Sequence, residues 1–520
     1  MDASDFRCTN QKSMGSSHSF DLLRPKREYG DRAKTTRRLQ LKNRQGTLLN
    51  IDIMERSRFS ILPKGRKHIR VNSKDTIHIS LEHVLAYLGF NKYFGPLSLD
   101  AIFNFHSSIE RVLIENPSKN IILTCNQEEC FLTNAVFLIG SYLIVKFPVN
   151  PDEVIQKFLP ANDFLVSFRD VSSGEQNFHL YLRDCWAGLW KAKQLGWLNP
   201  NFENFDASEY SHYSNPMNAD LHEIVPGKFI AMRSPKNIAN GQLWCDVWTD
   251  DGRFCRRDLS PALFVDILRD FDVQAVVRLN APAYRKEAFT DAGLGFVDLY
   301  FEDCTCPPVE VVAKFMAIAE GLPGALAVHC KSGLGGTGTL IALYMMQHYD
   351  FTAREAMGWL RIVRPGSVIG PQQQYLVERE AVMRRTGAQY RRHGPNVTLR
   401  PGDPAAVSAL IADAVSVVDT RLQALRNGAL QRRPAGRSPP LRSAGEPGGL
   451  RRAMTALLAA GGDGPASLRG SAAARRSRCG GGGRAAEGGP GAPGEPSRYC
   501  ADLLPLPTAR ALSGSPRANV

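Results

Sequence analysis

"ALAVHCKSGLGGTGTL", residues 325–340, starts as an apolar run and ends as the opening of a helix. Ala325 to Val328 reads as a buried strand that closes in His329-Cys330. A turn carrying Gly333, Gly335 and Gly336 follows, and the spacing predicts a helix from Thr337. A strand-turn-helix unit of this kind aims backbone N–H groups and the positive helix end at the Cys330 sulfur. Such surroundings favour the thiolate, the form that attacks phosphorus. The plainer reading makes Cys330 a small hydrophobe and His329 a core histidine. The glycines, which let backbone close on an anion, weigh against it.

"GLGGTG" at 333–338 also matches the dinucleotide-binding pattern G-x-G-x-x-G. A βαβ unit should next supply a strand ending in Asp or Glu. Instead "TAREAMGWLRIV", 352–363, starts with a capping box, Thr352 and Glu355, and runs with helical periodicity. Helix follows helix, which disfavours a nucleotide site.

Outward from this loop, the chain has 520 residues and 43% hydrophobic content, enough for two or three domains with real cores. No apolar run reaches the ~18 residues of a membrane span. The nearest, 131–147, carries Asn134 and Lys146 and reads as a buried helix. The first fifteen residues lack the apolar core of a signal peptide, so an intracellular protein without membrane attachment is expected. Its 11 cysteines have no paired or zinc-type spacing and fit unbridged thiols. The close pair Cys304 and Cys306 has no partners at metal-ligand spacing, so no metal is expected.

The net charge of +13 sits at the two ends. Residues 1–45 hold 11 Lys/Arg against 5 acids, and 386–520 hold 19 Arg against 8 acids, leaving the body slightly acidic at −4. Basic tails suit nuclear import or contact with nucleic acid, and equally plain solvated disorder. From about Leu48 to Glu380, apolar runs alternate with helical patterns, the mark of an α/β architecture. Beyond about Arg385 the Gly/Ala/Arg/Pro-rich composition cannot bury enough surface to fold. One amphipathic stripe interrupts it, with Val407, Leu410, Ile411, Ala414, Val418, Leu422 and Leu425 on one face, closed by Asn427-Gly428. Self-docking, partner binding and an accidental pattern all remain open for it.

A faint internal repeat organises the body. "NIILTC" (120–125) and "ALAVHC" (325–330) each read as a buried strand ending in Cys, followed by a turn, a Thr (133, 337) and a long apolar helix. The first loop has no glycine and carries Glu128 and Glu129, which repel phosphate. Chemistry is expected only in the second copy.

"VVRLN" (276–280), "FTDAG" (289–293), "DLYFED" (298–303), the His-Cys loop and "RPGSVIGPQQQYL" (364–376) resemble the cell-division-cycle-fourteen family of dual-specificity phosphatases. "FGPLSL" (94–99), "NAVFLIGSYL" (134–143) and "IVPGKFIAM" (224–232) look like the same family's first domain and linker. The resemblance implies two tandem dual-specificity-phosphatase-like domains, the second carrying the Cys loop, flanked by basic disordered tails. The expected division is a tail over 1–46, a noncatalytic domain over 47–205, a linker over 206–222, a catalytic-type domain over 223–385, and a tail over 386–520 with a helix at 404–427.

By position, the resemblance makes Cys330 the nucleophile and Asp303 the general acid. Thr337 would hydrogen-bond the sulfur, and Gln372 and Gln373 would place the attacking water. His329, Lys331, Ser332, Gly333, Leu334, Gly335 and Gly336 form the phosphate loop. No cofactor is implied. Substrates would be proteins with phosphoserine-proline sites and a following basic residue, read by acidic linker residues for which Asp206 and Glu209 are the candidates. A nuclear or nucleolar setting, the spindle pole or the cytoplasm would suit such a cell-cycle enzyme.

Two positions depart from the family. Cys304 replaces the usual Gly after the acid. Gly336 replaces the arginine that holds two phosphoryl oxygens in a charge-assisted, bidentate grip. Either turnover is severely reduced, or the fold serves as a pseudophosphatase that binds phosphopeptides or partners.

Overall fold

The computed structural model describes residues 49–54, 57–63, 76–81, 93–125, 128–172, 175–393 and 404–431. The expected basic tail over 1–46 and most of the C-terminal tail lie outside them. The chain divides into two compact units, one containing the residues up to Ala207 together with Arg354–Gly370, the other Ser208–Ala353 together with the residues from Pro371 onward.

In the first unit, strands β1 (Leu49–Met54), β2 (Ser57–Pro63), β3 (Thr76–Ser80) and β4 (Asn120–Cys125) form one sheet in the order β1-β2-β4-β3. β4 runs parallel to both neighbours, and β1 is antiparallel to β2. Helices α1 (Leu99–Glu115), α2 (Glu129–Lys146), α3 (Pro151–Phe158) and α4 (Leu182–Gln194) complete it. α2 is apolar on every face because it is the core: it is buried from Leu132 to Val145. It is long and apolar enough to cross a membrane, yet it is enclosed within this unit. α3 starts on a capping box, in which Asn150 accepts from Glu153 N while Glu153 accepts from Asn150 N.

The second unit begins with α5 (Ala207–Ser214), whose first residue belongs to the preceding unit. β5 (Leu221–Val225) and β6 (Phe229–Met232) pair antiparallel, and β7 (Trp244–Trp248) and β8 (Phe254–Leu259) form a separate hairpin. Then come α6 (Pro261–Asp270), β9 (Val273–Arg278), α7 (Glu287–Thr290), β10 (Gly295–Asp298), α8 (Val309–Gly321), β11 (Ala325–His329) and α9 (Gly335–His348). The five-stranded sheet has the order β10-β9-β11-β6-β5, with the first four strands parallel. β11 is buried along its whole length, as expected of a parallel strand covered on both faces. Its C-terminal end is therefore the one place where it can present chemistry.

The mixed helix-and-sheet architecture expected from the alternating pattern is thus present. α10 (Ala353–Val363) is helical as its capping signal implied, and from Arg354 it packs into the first unit. There Arg354 donates to Asp184 Oδ2 at 2.9 Å and to His179 O at 2.7 Å, and Trp359 meets Trp197.

Three boundaries differ from the sequence expectation. α9 opens at Gly335, ahead of Thr337, so Gly336 lies inside the first turn. α11 (Pro371–His393) carries order past Arg385, held by Arg384 Nε to Asp350 Oδ1 at 2.9 Å and by buried Thr386. α12 (Pro404–Gln431) runs through Asn427-Gly428, because a single Gly weakens a helix by only about 1 kcal/mol and need not end it.

Candidate active site

Cys330 lies at the C-terminal end of β11 and is buried. The turn behind it uses a left-handed residue, Gly333 at φ 70°, which brings the chain round into α9. Gly335, Gly336 and Thr337 are all buried in the first turn of that helix. Lys331 is exposed, and its carbonyl accepts from Ser234 N at 3.2 Å, which ties the loop to the strand end of β6.

His329 is fully buried between two partners. Its Nε2 lies 2.7 Å from Tyr284 Oη, and its Nδ1 lies 3.2 Å from Cys330 O. A carbonyl only accepts, so Nδ1 carries the proton and Nε2 accepts from the tyrosine hydroxyl. Burial, with the Arg278 charge nearby, pushes the imidazole down to about 4, so it is neutral at physiological pH. Arg278 in turn holds Asp298 through two bonds of 2.6 and 3.0 Å, donates to Tyr284 O at 2.7 Å, and lies over the Tyr284 ring. A buried arginine, a tyrosine and a histidine thus fix the strand end that presents Cys330.

Asp303 comes from the loop between β10 and α8. It lies close enough to Lys331, the residue after Cys330, for that residue's charge and backbone N–H to act on its carboxyl. Burial raises its pKa, and the charge and backbone N–H of Lys331 offset only part of the rise. A carboxyl that keeps its proton to higher pH suits a general acid. The residue after it, Cys304, is exposed and has φ 62°, the left-handed region that favours glycine.

α11 holds the same loop from its other side. Gln372 Nε2 donates to Thr305 O at 2.9 Å, and Tyr375 Oη donates to Pro307 O at 3.3 Å. Gln373 is buried beside Gln372 in the helix. Thr337 Oγ1 is buried and makes no hydrogen bond, so the expected bond to the Cys330 sulfur is not formed here. Cys330, Lys331, Asp303 and Gln372 are thereby linked into one constellation, with Thr337 in the adjoining helix turn. Asp206 and Glu209 are exposed, immediately before and within α5.

A Cβ on Gly336 would lie 2.7 Å from Phe301 Cζ. The Phe301 ring therefore fills the space beside residue 336, and any side chain there requires the ring to shift. Sequence reasoning missed Phe301, Tyr284 and Tyr375 as parts of the site. Phe301 stood inside "DLYFED" but carries no titratable group to draw attention. Tyr284 and Tyr375 are remote in sequence from the residues they hold; Tyr375 stood inside "RPGSVIGPQQQYL", yet nothing there pointed to Pro307 as its partner.

Comparison with known proteins agrees with this geometry. Residues 53–192 match the family described as dual specificity protein phosphatase, N-terminal half, and 262–380 match the dual specificity phosphatase catalytic domain. Dual specificity protein phosphatase CDC14C of Homo sapiens is 36% identical over 344 residues, covering 66% of this chain and 73% of that protein. CDC14A of Mus musculus is 36% identical over 353 residues, covering 66% of this chain and 55% of its own length. Tyrosine-protein phosphatase CDC14 of Saccharomyces cerevisiae is 31% identical over 316 residues, covering 59% and 55%. Two tandem phosphatase-type domains, in the order read from the sequence, show that the chain belongs to the CDC14 family of dual-specificity protein phosphatases.

Proposed function

We propose that the chain is a cysteine-dependent protein phosphatase for phosphoserine-proline and phosphotyrosine sites, with turnover cut severely by Gly336. The observation that carries this reading is that Asp303 lies within reach of the charge and backbone N–H of Lys331, which brings an acid beside the Cys330 loop. Cys330 Sγ attacks phosphorus, and the P–O bond to the serine or tyrosine oxygen breaks as Asp303 gives that oxygen its proton. Water, placed by Gln373 and by Gln372, then releases phosphate from the phosphocysteine, with Asp303 taking the proton back. Thr337, whose buried hydroxyl has no partner, is the donor that eases departure of the sulfur. Asp206 and Glu209 would recognise a basic residue after the proline, and the basic tails would favour a nuclear setting or contact with nucleic acid.

The missing arginine and the Phe301 ring beside residue 336 favour one second reading, a pseudophosphatase that uses the groove for binding alone. The test is turnover of paired phosphoserine-proline peptides with and without a distal Lys, using Cys330→Ser as the control. Slow turnover that vanishes in Cys330→Ser and prefers the lysine peptide supports the enzyme. Tight binding with no release of phosphate in either form supports the pseudophosphatase, and equal rates for both peptides remove the role of the acidic residues.

A further inference from the structure

α12 lies beyond the residues that match the catalytic-domain family, yet it is packed onto the second unit. Its inner face, Val407, Ile411, Val418 and Leu422, is buried. Val418 and Leu422 meet Ala313 and Ala317 of α8, with Ala414 packed against the same cluster. Val407 and Ile411 lie over Gly295 of β10, where an added Cβ would come within 2.7 and 2.9 Å of their side-chain carbons. Small residues on both receiving elements are what let the helix approach so closely. Two ion pairs rim the contact, Lys314 Nζ to Asp419 Oδ1 at 2.7 Å and Arg426 Nη2 to Glu310 Oε1 at 2.9 Å.

The two elements that α12 grips most closely are those from which the acid loop hangs. β10 ends at Asp298 and α8 begins at Val309, and the segment between them, 299–308, carries Phe301 and Asp303. Glu310, at the start of α8, is itself an ion-pair partner of the helix. We propose that α12 is a brace acting in cis, tying β10 and α8 to one another through itself so that the intervening loop keeps Asp303 at the Cys330 loop. Asp303 then depends on a helix more than 100 residues downstream, and whatever removes that helix weakens proton donation while leaving the nucleophile in place. The catalytic part of this inference rests on the role proposed above for Asp303.

The experiment compares Val418→Asp, which puts a charge into the buried contact, with the milder Lys314→Asp and the charge-swapped pair Lys314→Asp/Asp419→Lys, all in the full chain. Amide hydrogen exchange is read at 299–308, at β6 and at β11. Expected is at least 10-fold faster exchange at 299–308 in Val418→Asp, a smaller rise in Lys314→Asp that the swapped pair reverses, and unchanged β6 and β11. Where turnover is measurable, the rate on phenyl phosphate, a poor leaving group that needs the acid, should fall at least 10-fold more than the rate on 4-nitrophenyl phosphate. Fast exchange within α12 together with unchanged protection at 299–308 overturns the brace. Uniform loss of protection in Val418→Asp leaves the decision to the swapped pair, and failure of that pair to restore protection also overturns it. Absence of turnover in every form counts against the proposed enzyme, and the exchange data still decide the brace.

Discussion

The two strand-loop-helix copies start from the same plan and end in opposite states. In the first, β4 closes at buried Cys125 and α2 begins at Glu129 behind Glu128. There the Thr133 hydroxyl donates to Glu129 O at 2.7 Å and accepts Val166 N at 3.0 Å. In the second, the corresponding Thr337 hydroxyl is equally buried and has no partner. Thr124 precedes the first cysteine, and its hydroxyl donates to Ile79 O, whereas a buried, neutral histidine precedes the second. The first copy has closed both threonine hydroxyls on its own backbone, while the second leaves one without a partner. Duplication of a scaffold preserves strand and helix; the copies differ at the threonine near the helix start, although Asn134 and Ser141 of α2 also carry buried polar atoms without a partner.

The largest effect should come from residue 336, where the proposed function sets the loss of turnover. Gly336→Arg should raise kcat/KM by roughly 10³-fold, the lower end for a transition-state arginine. Because the Phe301 ring lies where the new Cβ must pass, the gain should be complete only if that ring can turn aside. Gly336→Arg with Phe301→Leu separates the two effects. Cys330→Ser must abolish any gain, and Cys125→Ser in the first unit must leave it intact. A gain that survives Cys330→Ser would break the contrast between the copies.

A second difference is titratable. The pKa of His329 falls from an ordinary 6.5 to about 4 on folding, so the folded state prefers the neutral ring. Stability from this group is whole above pH 6.5 and is lost as pH falls from there toward 4. At about 1.36 kcal/mol per unit, the loss amounts to up to about 3 kcal/mol. Urea midpoints of His329→Gln, measured between pH 7 and 4, should show a much flatter fall than the parent. Parallel curves would mean that His329 is not buried neutral.

Much of this site is legible in the amino-acid sequence alone. The Cys loop sits in a local pattern whose chemistry can be named, and its glycines set it apart from the first copy, whereas the roles given to Asp303, Gln372 and Gln373 come only from the family resemblance. What stays hidden depends on contacts between distant segments. Tyr284 reaches His329 across 45 residues, and Tyr375 reaches Pro307 across 68. The stripe at 404–427 is visible as a helix, but its receptor is formed by Ala313, Ala317 and Gly295, residues conspicuous only for being small. The assignment of 354–370 to the first unit is equally invisible, because chain order gives no sign that a helix packs outside its neighbours.

The two threonines give the next, smaller contrast. Thr133→Val removes an acceptor from Val166 N–H and should cost about 1–3 kcal/mol of stability, with no effect on rate. Thr337→Val removes a hydroxyl that bonds nothing in the resting protein, so stability should hold within about 0.5 kcal/mol or rise, as for a substitution that breaks no existing bond. Its effect should appear in the second chemical step, as a burst of leaving group followed by slow turnover. Equal stability losses in the two variants would show that Thr337 does have a structural partner.

The last contrast compares two residues with left-handed backbone, one in each unit. Phe202 and Cys304 both have positive φ, 57° and 62°. Phe202 is buried and its ring meets Phe103, His106 and Phe205, so its packing outweighs the backbone penalty. Cys304 is exposed, and the backbone term should dominate. The left-handed conformation costs a non-glycine residue about 1–2 kcal/mol. Introducing glycine returns only part of this, because the unfolded chain gains entropy worth roughly 0.4–1 kcal/mol. Cys304→Gly should therefore stabilise the protein by about 0.5–1 kcal/mol, a rise of roughly 1–4 °C in Tm for a unit of this size. Cys304→Ala keeps the strain and should give almost none of that gain, which isolates the backbone as the cause. Phe202→Gly should instead lose at least about 3 kcal/mol, the range for emptying an aromatic site. If Cys304→Ala stabilises as much as Cys304→Gly, the thiol and not the backbone sets the cost.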